Sequence, residues 1–289
     1  MAGGLYSKSD QHFVALWANA GYAGLMNNSS EITPRFGIAP ALGIGYQLRY
    51  NTFLLQTGLE GNFAYYTNHV NTRSLEVPMI DTQGKPFTMQ ASVLKEEDEC
   101  KTFQLQIPLL LGYEYRYFYF LAGAKAGFNL WGNTSSYSEI KTSGDYQRYI
   151  GIFEQMPNHQ FTTYNVNCDP YNVRFHLNVM AHAEIGLRLD NIYVSNDAIR
   201  NQNTKPQFYL SIYADYGLIN VHNNNAQGSV INYYETQDKG LQFYVTPALV
   251  SDQMTDCRIN PLFVGVKLTM LMEVKAKPAC VICSDDLKK

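Results

Sequence analysis

No stretch of about 18 uncharged apolar residues occurs in the 289 residues, which excludes a transmembrane helix. Charge is scarce and balanced: 16% of residues are charged, 22 basic against 25 acidic, for a net −3. That balance removes the electrostatic reason to expect a nucleic-acid partner. Intrinsic disorder is excluded as well, because 46% of residues are hydrophobic and 13% aromatic, too much for a chain without a core. Also missing are a phosphate-cradling glycine loop, a zinc-protease helix motif and paired catalytic carboxylates, so no cofactor and no metal are expected. Gly43-Ile44-Gly45 reads as strand. Residues 1–10 lack the apolar core of a secretory leader.

What is present is tyrosine, 22 residues of it, with 15 Phe and 21 Gly, a composition that favours β-structure. Apolar residues placed in alternation leave the overall hydropathy of a membrane barrel close to that of a soluble protein, so a membrane is not excluded.

Period-two alternation is clearest from Phe36 to Arg49, where Phe36, Ile38, Leu42, Ile44, Tyr46 and Leu48 alternate with Gly37, Ala39, Ala41, Gly43, Gly45, Gln47 and Arg49. It resumes after a short turn at Tyr50, Asn51 and Thr52, with Phe53, Leu55, Leu59, Phe63 and Tyr65 on one face and Gln56, Gly58, Glu60 and Asn62 on the other. The same construction recurs at 102–115 and 118–130, joined near Arg116, and at 175–189 and 208–218. Two further alternating segments, 14–22 and 262–272, bring the count to eight strands. Short links near Asn51, Arg116 and 191–206 alternate with long polar segments at 67–101, 132–171 and 220–259. Strands of about 12 to 15 residues, tilted near 40°, rise some 30 to 40 Å. The fold class expected is an all-β, eight-stranded antiparallel up-and-down transmembrane β-barrel with short turns at one end and long loops at the other. The barrel occupies 11–275, between an N-terminal segment (1–10) and a tail (276–289).

An eight-stranded soluble carrier would put the apolar face inside. The second face argues against that, since Gly37, Ala39, Ala41, Gly43 and Gly45 suit a narrow interior rather than a soluble exterior. Its charges balance too: Glu60, Glu114, Glu184 and Asp215 against Lys125, Arg174, Arg188 and Lys267, with His176 and His182 alongside. Inward charges in such numbers require pairing, and a paired network fills a lumen. Aromatics near the strand ends, among them Phe36, Tyr46, Phe63, Tyr65, Tyr113, Tyr115, Phe118, Phe128 and Tyr216, fall where interfacial girdles belong.

On segments such as FGIAPALGIGYQLRYNTFLLQTGLEGNF and QIPLLLGYEYRYFYFLAGAKAGFNLW, the chain resembles the small eight-stranded outer-membrane barrels of the OmpA and OmpX type. More narrowly it is similar to outer-membrane β-barrel proteins common in Bacteroidota. The closing FVGVKLTML is similar to the terminal signal read by the barrel-insertion machinery, departing from it at Phe263 and in the residues after Lys275. The resemblance implies the outer membrane of a Gram-negative bacterium, both termini in the periplasm, and lipid contacts that include lipopolysaccharide. A cleaved leader is then expected to precede residue 1, and the peptidoglycan-binding domain of longer relatives is not carried over.

Cys100, Cys168 and Cys257 lie on the long-loop side, where two of them can form a disulfide in an oxidising compartment. Cys280 and Cys283 have the CxxC spacing of a redox or metal half-site, which without a second pair reads as a local disulfide or as no role. His176, His182 and Glu184 share a strand face, but residues six apart on a strand, as His176 and His182 are, lie about 20 Å apart, too far for one ion. His69, His159 and His222 sit in long segments with no spacing that ties them to a nucleophile. The functional expectation is a non-enzymatic structural or interaction protein, an accessory subunit of a larger outer-membrane complex for secretion, nutrient import or barrel assembly. A narrow gated pore or small-solute binder, and a lipid A or peptide hydrolase, are the alternatives.

Overall fold

The computed structural model describes residues 10–30, 32–71, 74–81, 83–146, 152–154, 161–173, 177–189, 206–221, 229–236, 240–252 and 257–274. Its strands are β1 (Gln11–Asn27), β2 (Ile32–Ile38), β3 (Ala41–Tyr50), β4 (Phe53–Val70), β5 (Ser74–Ile80), β6 (Pro86–Tyr115), β7 (Phe118–Asp145) and β8 (Ile152–Phe153). They continue with β9 (Thr163–Asn167), β10 (Tyr171–Asn172), β11 (Asn178–Arg188), β12 (Gln207–Gly217), β13 (Ile231–Thr236), β14 (Gly240–Val245) and β15 (Ile259–Glu273). A 3-10 turn, Ala248–Val250, precedes the last strand.

The strands close on themselves. β1 pairs with β2 and β3, these with β4, and the ladder runs on through β6, β7, β11, β12 and β15 back to β1, antiparallel throughout. Because β2 and β3 are two halves of one stave interrupted at Ala39 and Pro40, the ring has eight staves. Two-residue turns join β3 to β4 and β6 to β7, and each uses the left-handed backbone region, at Asn51 (φ 55) and Arg116 (φ 59). Asn adopts that region readily; Arg does so at some steric cost. The first and last described barrel residues lie at this same end, where Phe13 pairs with Glu273 and Gln11 with Arg49.

The alternation puts apolar side chains outside. On β6 the outward residues from Phe103 to Tyr115 are Phe103, Leu105, Ile107, Leu109, Leu111, Tyr113 and Tyr115, with Leu109 61% and Leu111 65% exposed. That run measures about 40 Å along the strand and about 30 Å once tilted, the height of a hydrocarbon layer. Aromatics rim the belt at both edges, with Tyr50, Phe53, Tyr113, Tyr115 and Phe118 near the tight turns and Phe63, Phe103, Phe128, Trp131 and Tyr216 at the other margin.

Beyond that margin the strands do not stop. Most of the segments that read as long loops from sequence carry sheet of their own: β4 runs to Val70, β6 begins at Pro86, β7 ends at Asp145, and β5, β8, β9 and β10 add to them. Here the outer face turns polar, and further up the inner face turns apolar. Outward positions on β6 become Lys101, Glu99, Glu97 and Lys95, while the inner wall gains Val77, Met89, Ala91, Val93 and Ile140. Two bulges accompany the change, one at Leu94 in β6 and one at Leu130 in β7, and each adds an unpaired residue. Consequently even-numbered residues of β6 face inward below Leu94 and odd-numbered ones above it. The hairpin β13–β14 lies against this upper inner wall, where Val230, Ile231, Leu241, Phe243 and Val245 complete an apolar core.

Candidate functional site

The lumen of the barrel is filled in layers. Nearest the tight turns, Arg49 pairs with Glu114 at 2.8 Å and Arg188 with the same carboxylate at 3.4 Å. Arg49 also donates to the Tyr209 hydroxyl at 2.5 Å and lies 4.8 Å from the Phe13 ring centre. Above this comes an apolar layer of Phe13, Leu54, Leu110, Tyr119, Leu121 and Leu271.

At mid-height six staves contribute to a closed ring of polar contacts. Trp17 Nε1 on β1 donates to Glu60 Oε2 on β4 at 2.6 Å. Lys125 Nζ on β7 donates to Glu60 Oε1 at 2.8 Å and to Asp215 Oδ2 on β12 at 2.9 Å. His182 on β11 joins Asp215 through Nδ1 and Glu184 through Nε2, the second contact at 3.2 Å. Lys267 Nζ on β15 donates to Glu184 Oε2 at 2.7 Å and sits 5.3 Å from the Trp17 ring centre, which closes the circuit. Tyr119 and Ser211 donate to the other Glu184 oxygen. Both nitrogens of His182 face carboxylates, an arrangement satisfied when both donate.

Lys125 is only 1% exposed and the other ionic members of the ring are buried too. Charges so placed are tolerable only as a complete set. The ring needs room, and Gly43 supplies it: a Cβ there would fall 2.1 Å from the Trp17 indole. Gly43 pairs directly with both Trp17 and Glu60, so the smallest residue faces the largest side chain of the layer.

Amides lie over the ring. Gln106 Nε2 donates to Gln104 Oε1 at 2.9 Å, and Asn178 Nδ2 donates to the same oxygen at 3.1 Å. Then an apolar plug follows, in which Ala248 and Leu249 of the 3-10 turn pack with Leu25, Tyr66, Cys100, Met180, Val221 and Phe263. Asp98 latches this plug from the wall, its Oδ2 accepting the Ala248 backbone N–H at 2.7 Å. Burial pushes the Asp98 carboxyl up to about 6.

No protein-family model matches the chain, and no curated protein matches it. Among solved structures it is similar to Ail, the attachment invasion locus protein of Yersinia pestis, crystallised with the heparin analogue sucrose octasulfate: 7% identity, TM-score 0.23, with 90% of this chain and 98% of that one covered. It is also similar to the outer membrane protease OmpT of Escherichia coli, at 7% identity and a TM-score of 0.19 over 94% of this chain and 98% of that one. A Pseudomonas aeruginosa FadL homologue aligns at 8% identity and a TM-score of 0.15, over 91% and 90%. Likeness at this level transfers no residue, ligand or activity.

Of the inward charges named from sequence, Glu60, Lys125, His182, Glu184, Asp215 and Lys267 are contiguous in the ring, whereas Glu114 and Arg188 form the separate cluster with Arg49. Arg174 and His176 lie outside the described residues. Trp17, Arg49, Tyr119, Tyr209 and Ser211 are ring or cluster members that charge counting passed over. Each stands in the inward phase of its strand, and that phase was the signal that could have found them. The plug had one signal as well, the apolar run Ala248-Leu249-Val250 directly after Pro247 in a segment that reads as a long loop.

The disulfide expected among Cys100, Cys168 and Cys257 is not formed: Cys100 and Cys168 are thiols, and neither is bonded to Cys257. Cys100 is buried among the plug residues, against which Cys257 also packs, while Cys168 packs on the upper core around Ile140 and Val245. Burial raises the Cys168 thiol to about 11, far from a reactive thiolate. Cys280 and Cys283 lie outside the described residues, as do His159 and His222. His69 makes a contact of 3.0 Å through Nδ1 to the Glu96 carbonyl.

Proposed function

We propose that this chain is a non-enzymatic outer-membrane β-barrel, sealed against solute flow, that works as a structural or interaction protein through the wall it raises above the membrane. One observation carries the reading. The lumen is filled from the Arg49–Glu114 cluster through the Glu60–Lys125–Asp215–His182–Glu184–Lys267 ring to the Leu249 plug, while β6 and β7 continue past the apolar belt as ordered, cored sheet. A barrel that spends its interior on closure has its surface left for work. In this reading the tight turns and both termini are periplasmic, the upper sheet is extracellular, and the chain serves as an accessory subunit of a larger outer-membrane complex.

Extraction of native outer membranes with a mild detergent, then size-exclusion chromatography and mass spectrometry, tests the proposal. A stoichiometric partner co-eluting with the barrel is the expected result. Elution as a lone heat-modifiable barrel would overturn the subunit role, and release without detergent would overturn the membrane reading itself.

A further inference from the structure

The outer face of the upper wall carries a cleft that the sealed-barrel reading does not use. It opens across β2, β4, β6, β7 and β9, has a volume of about 560 Å³, and is bordered by the outward Arg35, Tyr65, Glu97, Glu99, Tyr137 and Asn167, with the buried Asp98 that latches the plug also in its lining. Its size falls in the range of small-ligand sites. Its height is fixed by the strands it crosses: Glu99 and Lys101 follow Phe103, the last aromatic of the belt on β6, and Tyr137 stands three outward positions above Trp131 on β7. The cleft therefore sits where lipid headgroups end.

Its chemistry is that of a surface for a hydroxyl-rich, uncharged ligand. Two phenol rings, Tyr65 and Tyr137, offer apolar faces with polar tips. Two carboxylates accept hydrogen bonds, and Asn167 both donates and accepts. Charge is already matched inside the site. Arg35 pairs with Glu97 at 2.9 Å, Lys95 with Glu97 at 3.2 Å and Lys101 with Glu99 at 3.5 Å, and the Lys101 ammonium also lies 5.6 Å from the Tyr65 ring centre. A phosphate would have to compete with two carboxylates; a polycation would have to displace three bases. A sugar ring stacks on a phenol and bonds to carboxylates through its hydroxyls without disturbing those pairs.

We infer that this cleft binds a neutral saccharide unit, supplied either by the headgroup of an outer-leaflet glycolipid or by a soluble glycan. The inference rests on the reading that the wall above the belt stands outside the membrane.

The full chain in nanodiscs tests it with two uncharged probes, diglucosyl diacylglycerol incorporated in the bilayer and the soluble glucose disaccharide of its headgroup. Saturable binding is expected, weakened about tenfold by Tyr137→Ala and by Glu99→Gln, as loss of one ring contact or one charge-assisted hydrogen bond implies. Raising salt from about 50 to about 500 mM should change affinity less than about twofold, because screening acts on charged ligands. Binding of the soluble disaccharide identifies a free glycan as sufficient; binding only in the bilayer identifies the glycolipid. No binding of either probe, binding unaffected by both substitutions, or binding abolished by salt would overturn the inference. A variant that loses heat-modifiable migration is scored as misfolded and replaced by Tyr137→Phe, which keeps the ring and is expected to bind within about twofold of the parent. Failure of the underlying placement would show differently, as a protein that leaves membranes without detergent.

Discussion

The two halves of β6 and β7 use one backbone to build opposite solutions. Below Phe103 and Trp131 the sheet is apolar outside and charged inside; above them it is charged outside, and inside it holds the buried acids Glu96 and Asp98 before giving way to the apolar core around Met89, Val93 and Ile140. The lower half faces hydrocarbon, so its inward charges must be paired within the lumen, and the Glu60–Lys125–Asp215–His182–Glu184–Lys267 ring does this. The upper half faces water and needs a conventional core, which the β13–β14 hairpin completes. In both halves the solvent outside, and not the strand, sets the character of the outer face.

Breaking the lower half should have the largest effect. Lys125→Met leaves Glu60 and Asp215 buried without their shared cation, and the loss should be about 3–5 kcal/mol. A urea titration followed by heat-modifiable migration would show a midpoint well below that of the parent; an unchanged midpoint would mean the ring contributes nothing to the barrel.

The plug comes next. Leu249→Ala should cost about 2–4 kcal/mol locally by opening a cavity among Leu25, Tyr66 and Phe263, read as faster amide exchange over 246–251 with barrel migration intact. Loss of barrel migration in this variant would tie the two halves into one cooperative unit, contrary to the comparison.

Acidity should sharpen it further. Buried Asp98 holds its proton up to about pH 6, whereas the same group in water would lose it near 3.8. The closed plug therefore binds the proton more tightly than the lifted plug, so its stability is fully present below about 3.8 and falls as pH rises towards 6. Protection factors over 246–251 should decline across that window and level off above it, and Asp98→Asn should flatten the profile. A decline that persists in Asp98→Asn would place the titration elsewhere.

The smallest effect is expected at the seam. Leu94 is the unpaired residue of its bulge, and its deletion lets regular alternation carry Val93 and Glu96 inward as before. The cost should be below about 1 kcal/mol. Collapse of the upper core on deletion would show that the bulge itself positions the wall.

Much of the lower half was legible in the sequence because one rule, apolar outward every second residue, holds across all eight staves. Phe36 to Arg49 and Phe103 to Tyr115 display it without interruption. The upper half was not legible for the same reason. Once Lys101 replaces an apolar outward residue and Leu94 and Leu130 shift the phase, alternation no longer marks the membrane face, and continuing strands read as loops. In the lumen, charge balance pointed to pairing, but which acid meets which base depends on stave height. Register alone separates Glu114, beside the tight turns, from Glu60 in the central ring.

Single-protein conductance in a planar bilayer tests the central claim most directly. A lumen closed by the ionic ring and the Leu249 plug should pass no steady current at neutral pH; a stable ohmic current from the unmodified chain would contradict it.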